Sequence, residues 1–145
     1  MSLRDLYQEM ILDHSKNPRN AGILTNASHQ QLGHNPLCGD KIAVFLIEEE
    51  GIIKDINFKG TGCAISLASA SLMTEEIKGK TLADFEQLFK NFHCLVTEGK
   101  ESDTLGKLEV LAGVAEFPIR VKCATLAWHT VKAALANDPN PVKTE

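Results

Sequence analysis

The chain has 145 residues, enough for one domain with a core of its own, because domains usually run ~100–200 residues. It is 43% hydrophobic and 23% charged, which excludes a fibrous or wholly disordered chain. Lys+Arg 15 against Asp+Glu 19 gives a net charge of −4, so no basic excess exists to neutralise phosphates, and nucleic acid is not expected as a partner.

In chain order, residues 2–16 are predicted to form a helix. Ser2 is placed to cap it, with Asp5 in the first turn. Leu3, Leu6, Tyr7, Met10 and Ile11 share one face at 3.6-residue spacing. Pro18 and Gly22 stop it. Residues 23–40 are polar and punctuated by Gly, Asn and Pro, so they predict loop with room for one short strand. Two strands are predicted over 41–49 and 52–59, joined by a hairpin turn at Glu50-Gly51. The rest is predicted helical: 63–78 ending at Gly79, then a helix capped by Thr81 with the stripe Phe85, Leu88, Phe89, Phe92 and Val96. A short helix around 104–112 and a last helix from Pro118 to about Ala136 follow. A hairpin followed by helices predicts an α+β fold. Residues 1–136 are expected to form one domain, and residues 137–145 a disordered tail.

No apolar run approaches the ~20 residues of a membrane helix, so no membrane is expected as a partner. The mixed-charge N-terminus has no signal-peptide pattern. A cytoplasmic location is therefore expected, where thiols stay reduced. Cys38, Cys63, Cys94 and Cys123 are candidate ligands or nucleophiles before they are candidate disulfides.

Cys38-Gly39-Asp40 has a glycine that lets thiol and carboxylate face one point, a donor pair suited to zinc or iron. The alternative is a buried thiol beside a turn-forming Asp. Gly60-Thr61-Gly62-Cys63 puts a thiol at a strand-to-helix junction, where backbone N–H groups favour thiolate. The alternative is packing on an Ala/Ser-rich helix. Cys123 is expected in the first turn of the last helix, with Arg120 and Lys122 lowering its pKa. The alternative is a core Cys beside Ala124, Ala127 and Trp128. The intervening 24 and 59 residues match no zinc-finger template. What the three thiols share is a place where a loop meets a regular element. Cys94 lies mid-helix among apolar neighbours and is expected to be a structural or incidental thiol. His34 is close enough in sequence to Cys38 to support a ligand from behind.

Four linked segments carry a resemblance: Leu6-Tyr7-Gln8-Glu9 through Asn17-Pro18-Arg19-Asn20-Ala21-Gly22; Asn35-Pro36-Leu37-Cys38-Gly39-Asp40; Gly60-Thr61-Gly62-Cys63-Ala64-Ile65-Ser66; and Arg120-Val121-Lys122-Cys123-Ala124-Thr125-Leu126-Ala127-Trp128. Together they resemble the IscU/NifU N-terminal family of iron–sulfur cluster assembly proteins. The resemblance implies an α+β fold with a small, mostly antiparallel three-stranded sheet and helices packed on it. It implies Cys38, Asp40, Cys63 and Cys123 as the metal-binding set, and a pyridoxal-phosphate-dependent cysteine desulfurase as partner.

Three departures look like the SufU-like subfamily. Lys122 stands where IscU scaffolds carry His. Glu116-Phe117-Pro118-Ile119-Arg120 replaces their Leu-Pro-Pro-Val-Lys segment. Extra residues lie around 92–105. This resemblance implies a zinc-dependent sulfurtransferase that takes persulfide sulfur from the desulfurase, with Cys38 as acceptor and Arg120 and Lys122 supporting the negative site. Zinc would keep Cys38 deprotonated until a partner group replaces it. The alternative is a non-enzymatic scaffold that builds a [2Fe–2S] cluster and hands it to apo iron–sulfur acceptor proteins. A third reading is a structural zinc module for partner binding.

Overall fold

The computed structural model describes residues 2–144. The side chain of Leu3, expected on the apolar face of the first helix, lies outside the described residues. The elements are α1 (Leu3–Lys16), β1 (His29–Asn35), β2 (Asp40–Glu49), β3 (Ile52–Thr61), α2 (Ala64–Ile77), α3 (Leu82–Glu98), a 3₁₀ segment (Gly106–Glu116), α4 (Pro118–Leu135) and β4 (Val142–Lys143).

The α+β architecture is the expected one, with helices packed on a sheet of order β3-β2-β1-β4. β1, β2 and β3 pair antiparallel. The sheet has four strands rather than three, because Val142 and Lys143, in the segment read as tail, pair in parallel with Gly33 and His34. Val142 packs against the core there, which gives this short strand an apolar anchor.

Strict alternation decides which side of the sheet holds the core. β2 buries Ile42, Val44 and Leu46, and β3 buries Ile53, Ile56 and Phe58. A register shift at Ile47/Glu48 keeps Ile53 on the same side as Ile56. Glu50 (φ 53°) and Gly51 (φ 78°) both take positive φ, the conformation a tight two-residue hairpin requires. Burying each such aliphatic side chain contributes roughly 1.5–3 kcal/mol. Trp128 of α4 sits at the centre of the helical layer, stacked on Phe92 at 4.5 Å and on Phe85 at 6.1 Å.

Ser2 caps α1 as expected, and with Asp5 it closes a full capping box, Ser2 Oγ accepting from the Asp5 N–H at 3.2 Å. Tyr7, Met10 and Ile11 pack on the core as expected, but Leu6 stays exposed. His14 is buried from the same helix and lies 2.7 Å from Ser71 Oγ on α2, a satisfied polar group. The helix expected around 104–112 is instead the 3₁₀ segment, which holds Gly106 and Gly113 and so favours the tighter, shorter-range turn. Gly33 lets β1 lie directly on α4: a Cβ there would meet Thr130 Oγ1.

Candidate metal centre

Three chain junctions converge at one end of the sheet. The loop between β1 and β2 carries Cys38 and delivers Asp40 as the first residue of β2. The β3-to-α2 junction carries Cys63 as the N-cap of α2. α4 starts at Pro118, so Cys123 is its sixth residue and lies past the first turn, not in it. The helix terminus therefore acts on Cys123 less than expected, since that influence fades after one turn.

Ligand atoms of Cys38, Asp40 and Cys123 all lie within 4.8 Å of one another. The Cys123 thiol donates to Cys38 Sγ at 3.1 Å. Cys63, the fourth expected ligand, falls outside that mutually close set and is linked to it through Asp40: its backbone N–H donates to Asp40 Oδ1 at 2.8 Å, and its Sγ lies 3.9 Å from Asp40 Oδ2. Gly62 (φ 150°) makes this approach possible, because a Cβ would meet Asp40 Oδ1. Asp40 and Cys123 are fully buried, whereas Cys38 and Cys63 are half-buried.

Asn35, the last residue of β1, is fully buried. Its Nδ2 donates to Asp40 Oδ2 at 3.4 Å and to Cys123 Sγ at 3.4 Å. The sequence motif contains it, but the polar, Gly/Asn/Pro-punctuated pattern of 23–40 gives its side chain no role, because that pattern does not reveal the strand that turns it inward. The register Asn35↔Asp40 in a β1–β2 ladder is the signal that points to it. His34, expected to support Cys38, pairs with Lys41 on the opposite face of the sheet and is not brought to the thiols. Successive strand residues face opposite ways, so the supporting position falls to its neighbour.

Arg120 reaches the site, with Nη1 4.0 Å from Cys38 Sγ. Among the described residues no contact brings the Lys122 side chain to a thiol; its carbonyl accepts from Thr144 Oγ1 at 3.3 Å. Burial pushes the Cys123 thiol up, reinforced by its hydrogen bond with Cys38 and the negative charge of Cys63. The expected lowering by Arg120 and Lys122 is thus overridden by desolvation. Cys94 lies on α3, where it lines a separate surface groove with His93 and His129.

The donor set fits a divalent cation. A fully buried carboxylate with no ion pair among the described residues faces soft sulfur donors, and buried charges are ordinarily paired or coordinate metals.

The sequence profile of the NifU-like N-terminal domain matches residues 6–141. This chain belongs to the NifU-like N-terminal domain family. Its relatives include the zinc-dependent sulfurtransferase SufU of Bacillus subtilis (strain 168), 42% identical over 140 residues and covering 94% of each chain. The iron–sulfur cluster assembly scaffold protein IscU of Streptococcus pyogenes serotype M1 is 43% identical over 141 residues, 95% of this chain and 87% of that protein. The crystal structure of FiSufU from Fervidobacterium islandicum AW-1 superposes with a TM-score of 0.83 at 37% identity, over 92% of this chain and 99% of that one. The NifU-like family thus accounts for the fold and for nearly the whole length of the chain. No helix among the described residues is long and apolar enough to cross a membrane.

Proposed function

We propose that this NifU-like protein is a zinc-dependent sulfur acceptor in iron–sulfur cluster assembly, working with a pyridoxal-phosphate-dependent cysteine desulfurase. The observation that carries the reading is the position of Cys38. Its thiol is half-buried on a loop, 3.1 Å from the buried Cys123 Sγ and 4.0 Å from Arg120 Nη1. A loop thiol beside a cation is placed to meet a partner, while a thiol inside α4 is not.

Cys38, Asp40, Cys63 and Cys123 would hold the metal. Bound there, zinc supplies charge that keeps the thiols ionised at neutral pH. In the transfer step the Cys38 thiolate attacks the outer sulfur of the desulfurase persulfide. A new S–S bond forms at Cys38, the old one breaks, and its electron pair leaves with the desulfurase thiolate, which takes up the persulfide proton. No net oxidation occurs. Arg120 stabilises negative charge at Cys38 before and after transfer.

Leu37, next to Cys38, and Ile119, next to Arg120, are each 63% exposed, and a groove of about 500 Å³ beside Arg120 is lined by Tyr7, Ile65, Val114 and Phe117. Such apolar surface next to a reactive thiol suits docking of a protein partner. The transferred sulfur then passes to an apo iron–sulfur acceptor or scaffold protein. The reading calls for a reducing compartment, the cytoplasm.

The test is incubation with desulfurase and cysteine, followed by mass spectrometry of peptides, alongside desulfurase stimulation by each Cys→Ser variant. Added sulfur on Cys38 is the expected result. Label elsewhere with Cys38 unmodified overturns the assignment. The second reading, a [2Fe–2S] scaffold, is favoured by the three sulfur donors with one harder oxygen donor at the same site, and by the IscU relatives. It is distinguished by cluster transfer to an apo acceptor without desulfurase stimulation.

A further inference from the structure

The thiols of this site are not held alike, and one buried amide accounts for the difference. Asn35 Oδ1 accepts the Leu37 N–H at 3.3 Å, which orients the amide so that its NH₂ group faces the centre. From there Nδ2 donates to Asp40 Oδ2 and to Cys123 Sγ, both at 3.4 Å. Asp40 is held a second time, by the Cys63 N–H on Oδ1 at 2.8 Å. Cys38 receives nothing from Asn35; its contacts are the Cys123 thiol and Arg120.

We propose that Asn35 is the positioning residue that makes Cys38, and not Cys123, the reactive thiol of the centre. An N–H directed at a thiolate draws on the lone pair that would otherwise attack an electrophile; the buried Asn35 contact on Cys123 is 3.4 Å long, whereas the Arg120 contact on Cys38 is exposed and 4.0 Å long, so Cys123 is the more restrained of the two. The same amide pins the Asp40 carboxylate, so two of the donors stay in place when Cys38 moves. Both ends of the link are buried, where an N–H contact is not exchanged for water. The inference rests on the reading of Cys38 as the sulfur acceptor, but its test requires no sulfur transfer.

The decisive variants are Asn35→Asp and Asn35→Ala. Asn35→Asp is nearly isosteric and keeps an oxygen for the Leu37 N–H, so it preserves the turn, but it replaces the donor with a carboxylate that adds negative charge beside Asp40 and Cys123. Asn35→Ala removes donor and acceptor without adding charge, so the two variants together separate the donor from the turn and from the charge. Zinc-loaded wild-type and variant proteins are titrated with a competing chelator, then treated with iodoacetamide and mapped by mass spectrometry. A melt of each variant reports whether it folds. In wild type, Cys38 should be alkylated ahead of Cys123. In both variants the Cys38:Cys123 labelling ratio should fall several-fold, and in the uncharged Asn35→Ala zinc affinity should fall about 10- to 100-fold, as for loss of other partners behind metal ligands. A folded variant of either kind with the wild-type labelling ratio, or a folded Asn35→Ala protein with the wild-type zinc affinity, overturns the proposal and leaves Asn35 as a turn residue. Should Cys123 lead already in wild type, the choice of Cys38 fails and this proposal with it, whereas loss of the Asn35 effect alone leaves the choice of Cys38 standing, which separates the two failures.

Discussion

The backbone N–H of Cys63 donates to Oδ1 of Asp40 at 2.8 Å, tying the start of α2 to the first residue of β2. Strand β3 returns alongside β2, so the Gly60-Thr61-Gly62 exit delivers Cys63 against Asp40. The carboxylate is thereby oriented before any metal arrives, and its second oxygen faces the thiols.

That contact depends on Gly62. A Gly62→Ala variant adds a Cβ against Asp40 Oδ1, at a φ of 150° that side chains avoid. Zinc affinity should fall at least tenfold and stability should drop by about 1–3 kcal/mol. A chelator competition and a thermal melt check it; wild-type affinity would refute the role given to this approach. Cys94→Ser, on the separate α3 groove, should leave zinc binding unchanged.

Replacing Asp40 should change how long a cluster stays. A carboxylate is a hard donor set among soft ones, which favours release of an iron–sulfur cluster. Asp40→Ala should therefore retain a reconstituted [2Fe–2S] cluster as long as wild type or longer, while impairing normal turnover. Timing cluster loss to an apo acceptor measures this, and faster loss from the variant contradicts the argument.

Chelation should destabilise the fold. A metal that binds only the folded chain, at 100 times its Kd, contributes about 2.7 kcal/mol. For a chain of this size that corresponds to a drop of roughly 5–11 °C in Tm on adding chelator. An unchanged Tm would mean that the four donors do not assemble a metal site.

Two histidines set an acid limit on stability. Burial holds His14 below its ordinary value of 6.5, with the Arg19 cation adding to it and Glu75 opposing. Burial likewise lowers His129, with His93 and Lys132 adding. The folded state thus favours both neutral rings, while the unfolded chain takes up protons near pH 6.5. Stability should be full above about 6.5 and fall as pH drops below it, by at most about 1.4 kcal/mol per pH unit for each ring. Urea midpoints of metal-free protein between pH 7.5 and 5 test this. His14→Gln and His129→Gln should each flatten the slope relative to wild type; the wild-type slope in both variants would discard the explanation.

Much of the molecule was legible in the chain because it follows from local pattern. The Ser2 cap, the Phe85–Val96 stripe, the Glu50-Gly51 hairpin and the placement of Cys38 and Cys63 at loop-to-element junctions depend on residues a few positions apart. Periodicity and turn chemistry act over that range. The motifs around the cysteines also carried the family resemblance.

Other features belong to the assembled structure alone. Asn35 and Cys123 are 88 positions apart, and only the strand register and the seating of α4 bring them to 3.4 Å. A one-residue change of register would turn His34 inward in place of Asn35. The raised pKa of Cys123 comes from burial, which neighbouring Arg120 and Lys122 in the sequence do not reveal. The fourth strand exists because β1 offers an unpaired edge to Val142 and Lys143. Sequence determined which groups the site contains; long-range packing decided which of them are held and which one is left to react, because desolvation and hydrogen bonding depend on neighbours in space.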